Sequence, residues 1–274
     1  PNKRIARGID MKTQMLRILA AGLLLAAPLA QAADPIDAAA DSSQAVAAAI
    51  ASPDRPKSDL EQDARRKPAE ILAFVGVAPG MHVADMFSAG GYYTELLSRT
   101  VGVKGQVIAY NNIPYANFAK KGIAERYADD RLGNVRQITA DVDKFDVAPG
   151  SLDAAMFIMS YHDLYWRPAD GSWAGTNPQM LLKDLFAALK PGGVVVVEDH
   201  VANANNDASG TVDKLHRIDP AIVKADFAKA GFVFDAESRV LAHPDDDHTK
   251  LVFDDAIRGK TDQFVFRFKK PALP

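Results

Sequence analysis

Five polar clusters hold the residue types from which this chain could do chemistry: Asp85 with the turn Phe87-Ser88-Ala89-Gly90-Gly91, Asn111-Asn112, Asp141, Tyr161-His162-Asp163, and Glu198-Asp199-His200. A turn of small residues lets a ligand approach the backbone, and the helix start behind it offers free N–H groups to a nucleotide or anion. Carboxylates and amides suit the hydroxyl and amino groups of a ligand, and an imidazole suits proton transfer near neutral pH. His216 and Asp245-Asp246-Asp247-His248 add oxygen and imidazole donors. Their spacing matches no established zinc or calcium site, so no metal is expected. A Gly-x-Ser-x-Gly turn is absent, which disfavours a hydrolase built on a nucleophile elbow.

The elements that must position these clusters are legible as alternating patterns. Strands are expected over His82–Met86, Gln106–Tyr110, Val135–Thr139, Asp153–Met159 and Val194–Glu198. Helices are expected between them, over Tyr92–Thr100, Tyr115–Tyr127 and Pro178–Leu189. The last opens on Asn177-Pro178 and carries its apolar stripe on Leu181, Leu182, Leu185 and Leu189. Asp219-Pro220 opens a further helix that stops at Gly231, and Phe232–Val240 with Gln263–Phe268 alternate as a closing antiparallel pair. This succession implies an α/β fold: a seven-stranded, mostly parallel sheet with helices on both faces. In such sheets ligands bind outside the carboxyl ends of the strands, where all five clusters fall. Ahead of the sheet, Ser58-Asp59-Leu60-Glu61 reads as a capping box, and Pro68 as the first turn of a second helix.

The N-terminal region reads as an address. Lys12 and Arg17 precede an apolar run from Ile18 to Ala30, and Ala30-Gln31-Ala32 fits a small-x-small cleavage site. The run is shorter than the ~20 residues that span a bilayer. Residues 11–32 are therefore expected to be a signal peptide, with 1–10 foreign to the mature protein. Residues 33–57 are expected to form a flexible arm, with a helical stretch open over Gln44–Ala51, and 58–274 the folded domain. The expected location is the periplasm, with no membrane association after cleavage. A formal charge of −3 and no dense Lys/Arg run give no basic surface for nucleic acid. The chain has no cysteine, which excludes disulfides, thiolate catalysis and iron–sulfur clusters.

From about Ile71 to Lys269 the chain resembles the class I S-adenosylmethionine-dependent methyltransferases, and within them a bacterial family of methyltransferases with signal peptides. The resemblance rests on Val83-Ala84-Asp85 with Gly91, Gln106-Val107-Ile108-Ala109-Tyr110, Ala140-Asp141, Leu152-Asp153-Ala154-Ala155 and Leu189-Lys190-Pro191-Gly192-Gly193. His216-Arg217-Ile218-Asp219-Pro220 and the segment from Ile257 to Phe264 match the smaller family. The resemblance implies a Rossmann-like fold and S-adenosyl-L-methionine as cofactor, held by Asp85, Ala89, Gly90, Gly91, Asn111 and Asp141. Of the Gly-x-Gly-x-Gly turn only Gly91 keeps register; Phe87 and Ala89 replace the first two glycines. Asn111 stands where an acid usually takes the ribose hydroxyls, and Asp141 matches the residue that meets the adenine amino group.

Methyl transfer depends mostly on positioning, with a base needed only if the acceptor must lose a proton. His162 is the candidate base; a rim residue capping the next turn is the other reading of the same position. Tyr92-Tyr93 either wall the cofactor or pack the first helix. Two functions stay open: a methyltransferase acting on a small molecule or envelope component, and a non-catalytic periplasmic protein binding a nucleoside or small metabolite in the same crevice.

Overall fold

The computed structural model describes residues 35–173, 176–204 and 207–272. The expected signal peptide lies outside them. Among the described residues, four helices precede the sheet: α1 (Pro35–Ile50), α2 (Lys57–Leu60), α3 (Asp63–Arg66) and α4 (Pro68–Val75). Then follow β1 (His82–Met86), α5 (Tyr92–Val101), β2 (Gln106–Asn111), α6 (Ile113–Phe118), α7 (Lys120–Arg126) and β3 (Val135–Thr139). The chain continues through β4 (Leu152–Ile158), α8 (Pro178–Ala188), β5 (Leu189–His200), α9 (Ala208–Leu215), α10 (Pro220–Lys229), β6 (Val233–Ser238) and β7 (Gln263–Lys269).

The seven strands form one sheet in the order β3-β2-β1-β4-β5-β7-β6. β1 pairs in parallel with β2 and β4, so Asp85 lies between Ala109 and Met156. β7 runs antiparallel between β5 and β6. Period-two alternation puts Ala84, Met86, Ile108, Tyr110, Ala155 and Phe157 in one core layer. Val83, Val107, Ala154, Met156 and Val196 lie in the other. Burial on both faces explains why these strands read as apolar runs.

Three local expectations change. The described part of the expected flexible arm is a helix, and Val46 and Ala49 of α1 are buried in the core cluster that holds Leu72, Leu96 and Leu97. Those two residues with Ile50 make an i, i+3, i+4 stripe that finds an apolar surface on α4 and α5. Ser58 does not cap: α2 begins at Lys57, and Asp59 is buried in an ion pair with Arg126. The single helix expected over Tyr115–Tyr127 is two, α6 and α7, divided at Ala119.

The Leu-Lys-Pro-Gly-Gly segment feeds β5. A Cβ on Gly193 would stand 2.9 Å from the Lys190 carbonyl oxygen and 3.1 Å from that of Asp153, so this position admits no side chain.

Candidate active site

β1 delivers Asp85 to the carboxyl edge of the sheet, and the loop to α5 turns back over it. Residues 87, 89 and 91 all take left-handed backbone conformations, with φ of 54°, 48° and 77°. The pattern of a three-glycine turn thus survives where only Gly91 is glycine. Phe87 and Ala89 bear its steric cost. Phe87 is held there by packing against Tyr110 and Tyr115, each at a ring-centroid distance of 5.4 Å. Thr94, one turn into α5, donates to the Asp85 carboxylate at 2.6 Å. Burial raises the Asp85 carboxyl to about 6, against the lowering influence of Thr94 and Arg66.

A cavity of about 480 Å³ opens against this loop, lined by Asp85, Ser88, Ala89, Gly90, Gly91 and, from other elements, Arg66, Glu125 and Arg126. Tyr92 and Tyr93 line it and also tie down the N-terminal helices. Tyr92 donates to Asp63 at 2.6 Å, and Tyr93 to the Arg66 carbonyl at 3.1 Å.

Two residues expected in this pocket are placed otherwise. The buried Asn111 amide is spent on the loop itself: its oxygen accepts from the Ala89 N–H at 2.9 Å, and its nitrogen donates to Ser88 Oγ at 3.0 Å. Asp141 is exposed, lies 3.4 Å from Lys144 and does not line the cavity. The sequence motif gives chain position, whereas the direction of each side chain depends on what competes for it. A further wall comes from α7, whose Arg126 donates through Nε to the Gly90 carbonyl at 2.8 Å. Arg126 also pairs with buried Asp59 and Glu95. Glu95 is joined by Arg131 and Arg99. Burial opposes the Glu95 charge, but the three arginines overcome it and hold the carboxyl down at about 2.

A larger cavity, about 1020 Å³, shares Arg66, Tyr115 and Met159 with the first. His162 lies on its wall, in a short 3-10 turn after β4, with His200 and His216. The His162 Nδ1 is 2.7 Å from Asp199 Oδ1, and its Nε2 is 3.5 Å from Asp163 Oδ1. Tyr115 donates to Asp163 at 2.9 Å. Burial disfavours the imidazolium, but the carboxylates of Asp199 and Asp163 outweigh it and raise His162 to about 9. At neutral pH His162 is therefore charged. The neutral rings are its neighbours. Burial holds His200 down to about 3 and lowers His216 as well, helped by the charge on His162. The Nδ1 of His216 is buried without a hydrogen-bond partner.

His200, His216, Tyr115, Thr261 and Gln263 join this wall from four separate segments. Nothing in their local spacing groups these residues; the His216–Pro220 and Ile257–Phe264 segments are the sequence signal that marks part of this wall. The acid-rich segment has a structural role: Asp246 forms a bidentate pair with buried Arg217, and His248 contacts Asp262 at 3.1 Å. Among the described residues, no group of three or more His, Asp or Glu is placed to hold a metal ion.

The architecture has solved counterparts. A methyltransferase from Aquifex aeolicus described as dependent on S-adenosylmethionine superposes with a TM-score of 0.55 at 18% identity, covering 78% of this chain and 95% of its own. The fold is that of the class I methyltransferases. The [4+2]-cyclase SpnF shares it, with a TM-score of 0.54, 14% identity and coverage of 85% and 94%. In sequence, a trans-aconitate 2-methyltransferase of Delftia acidovorans is 32% identical over 133 residues, 48% of this chain and 43% of the relative. The chain thus spans less than half the length of this curated relative of the methyltransferase fold. No family model matches it.

Proposed function

We propose that this protein is an S-adenosylmethionine-dependent methyltransferase, with the smaller cavity as cofactor pocket and the larger as acceptor pocket. The observation that carries the proposal is the run of left-handed residues at Phe87, Ala89 and Gly91, kept at a steric cost in the loop above Asp85. The two cavities meet at Arg66, Tyr115 and Met159, so ligands in each would touch across a shared wall. The trans-aconitate methyltransferase relative supports the same reaction class.

The residues fit the cofactor unevenly. Asp85 suits the amino group of the methionine end, and Arg66 its carboxylate. Asn111 and Asp141 are not available to the nucleoside end, but Glu125 lines the cavity from α7 and is a carboxylate that ribose hydroxyls can reach. When bound, the cofactor supplies an electrophilic methyl group. The protein must orient the acceptor, exclude water and, where the acceptor carries a proton, receive it. His216 is lowered by burial and lines the acceptor cavity, which suits it to that last task better than His162.

A second reading, a binding protein without methyl transfer, draws on the turned-in Asn111 and on a cyclase having the same fold. Calorimetric titration with S-adenosylmethionine and S-adenosylhomocysteine separates the two: saturable binding of both supports the methyltransferase, and binding of neither removes it. The export signal expected at 11–32 adds a periplasmic location and a small or envelope-associated acceptor to the proposal. N-terminal sequencing of the protein from fractionated cells would test the location, and a mature start near Ala33 is the expected result.

A further inference from the structure

The larger cavity has a chemical character of its own. Five rings follow one another along its wall: Tyr115 to Trp173 at 5.6 Å, Trp173 to Trp166 at 5.5 Å, Trp166 to His216 at 5.4 Å and His216 to Phe253 at 5.1 Å. The successive rings are tilted by 45° to 69°, so the arc presents both ring faces and ring edges to a flat guest. At the same cavity stand Arg65, Arg66 and Arg258. None of the three is in a salt bridge with a carboxylate among the described residues, in a chain whose formal charge is −3.

These arginines are anchored by neutral groups. Arg66 Nε donates to Gln62 Oε1 at 2.9 Å, and Arg258 Nη2 to the Phe253 carbonyl at 2.8 Å. The stem of Arg65 lies on the backbone of Gly259, where a Cβ would come within 2.9 Å of Arg65 Cδ. Burial and the adjacent Arg66 lower the Arg65 guanidinium, against the raising influence of Glu198. Burial raises the nearby Glu198 carboxyl to about 8, against the lowering influence of Arg66 and Arg65, which leaves the guanidiniums free for a ligand carboxylate that they can bind in bidentate fashion.

Building on the methyltransferase reading, we propose that the larger cavity receives an acceptor with a planar aromatic ring bearing a carboxylate, the ring on the Trp166–Trp173 arc and the carboxylate at Arg65 and Arg258, which line this cavity alone. The acceptor's methylated atom would then face the shared wall at Met159 and Tyr115.

Trp166 and Trp173 are the chain's two tryptophans, and both line this cavity, so intrinsic fluorescence reports on it directly. The full chain is titrated with benzoate, benzamide and cyclohexanecarboxylate. Benzoate is expected to bind about tenfold more tightly than benzamide, which lacks the charge, and several-fold more tightly than the saturated acid, which lacks the flat ring. The Arg65→Gln, Arg258→Gln double variant, checked for folding by circular dichroism, is expected to bring the acid and amide within about twofold of each other. Equal binding of acid and amide, equal binding of flat and saturated acids, or no response to benzoate would each overturn the proposal. Calorimetry with S-adenosylmethionine on the same preparation keeps the two readings apart. Cofactor binding without a benzoate response removes the acceptor class alone, and a benzoate response without cofactor binding removes methyl transfer alone.

Discussion

The Asp199 carboxylate holds His162 at two points: Oδ1 lies 2.7 Å from the ring Nδ1, and Oδ2 accepts the backbone N–H at 2.9 Å. The ring is thereby fixed in both position and charge, and its Nε2 is left 3.5 Å from Asp163 on the wall of the larger cavity.

This pair sets a pH dependence. His162 is raised from 6.5 to about 9 on folding, with burial opposed and overcome by Asp199 and Asp163. A raised imidazolium stabilises the fold fully below its unfolded value, and that contribution is lost as pH rises through about 9. Urea unfolding from pH 6 to 10 is expected to show a falling midpoint for the wild type across that window. His162→Gln should lack this component; parallel losses in both proteins would mean that the folded-state ring is neutral.

Asn111 is a loop-forming residue here. Asn111→Ala leaves the Ala89 N–H and Ser88 Oγ without their partner, at an expected cost of about 1–3 kcal/mol measured by urea unfolding. Asp141→Ala, at an exposed site outside the cavity, is expected to leave S-adenosylmethionine affinity unchanged in calorimetry. A large loss of affinity in Asp141→Ala would restore its expected adenine contact.

Substitution at Gly91 should be felt by the fold before the ligand. Its φ is 77°, and a Cβ there would lie 3.1 Å from Arg126 Cγ and 3.2 Å from Tyr127 Oη. Gly91→Ala is expected to lower stability by about 1–2 kcal/mol through the left-handed backbone alone. Thermal unfolding should therefore shift down even without ligand. An unchanged melting temperature with abolished binding would show that the space belongs to the ligand.

Arg126 joins two buried carboxylates, Asp59 and Glu95, and touches the glycine loop through the Gly90 carbonyl. Arg126→Ala strands both acids, with an expected loss of about 3–5 kcal/mol in urea unfolding. Glu95 itself, held at about 2, contributes stability that is present above 4.5 and is lost as pH falls through about 2. Acid unfolding followed by circular dichroism should begin at higher pH in Arg126→Ala than in the wild type.

Strand and helix periodicity, the order of elements and the small-residue turn at Phe87–Gly91 were legible because each is written in neighbouring residues. The expected strand His82–Met86 and the expected pairing of the last two strands agree with β1 and with β6–β7. Asp85 was legible for the same reason, since the end of an apolar strand is visible locally. The packing of α1 was not legible, because the burial of Val46 and Ala49 depends on α4 and α5, which lie further along the chain.

The sequence by itself determined the sheet, its connections and the edge at which polar residues gather, since these follow from local periodicity and turn chemistry. Tertiary structure decided what those residues do. It turned Asn111 onto the Ala89 N–H, left Asp141 in solvent, charged His162 beside Asp199 and set His200 and His216 neutral next to it. Side-chain direction and protonation depend on competition for hydrogen bonds, burial and nearby charge, and the competitors here come from segments tens of residues away. Only the packed chain brings them within reach of one another.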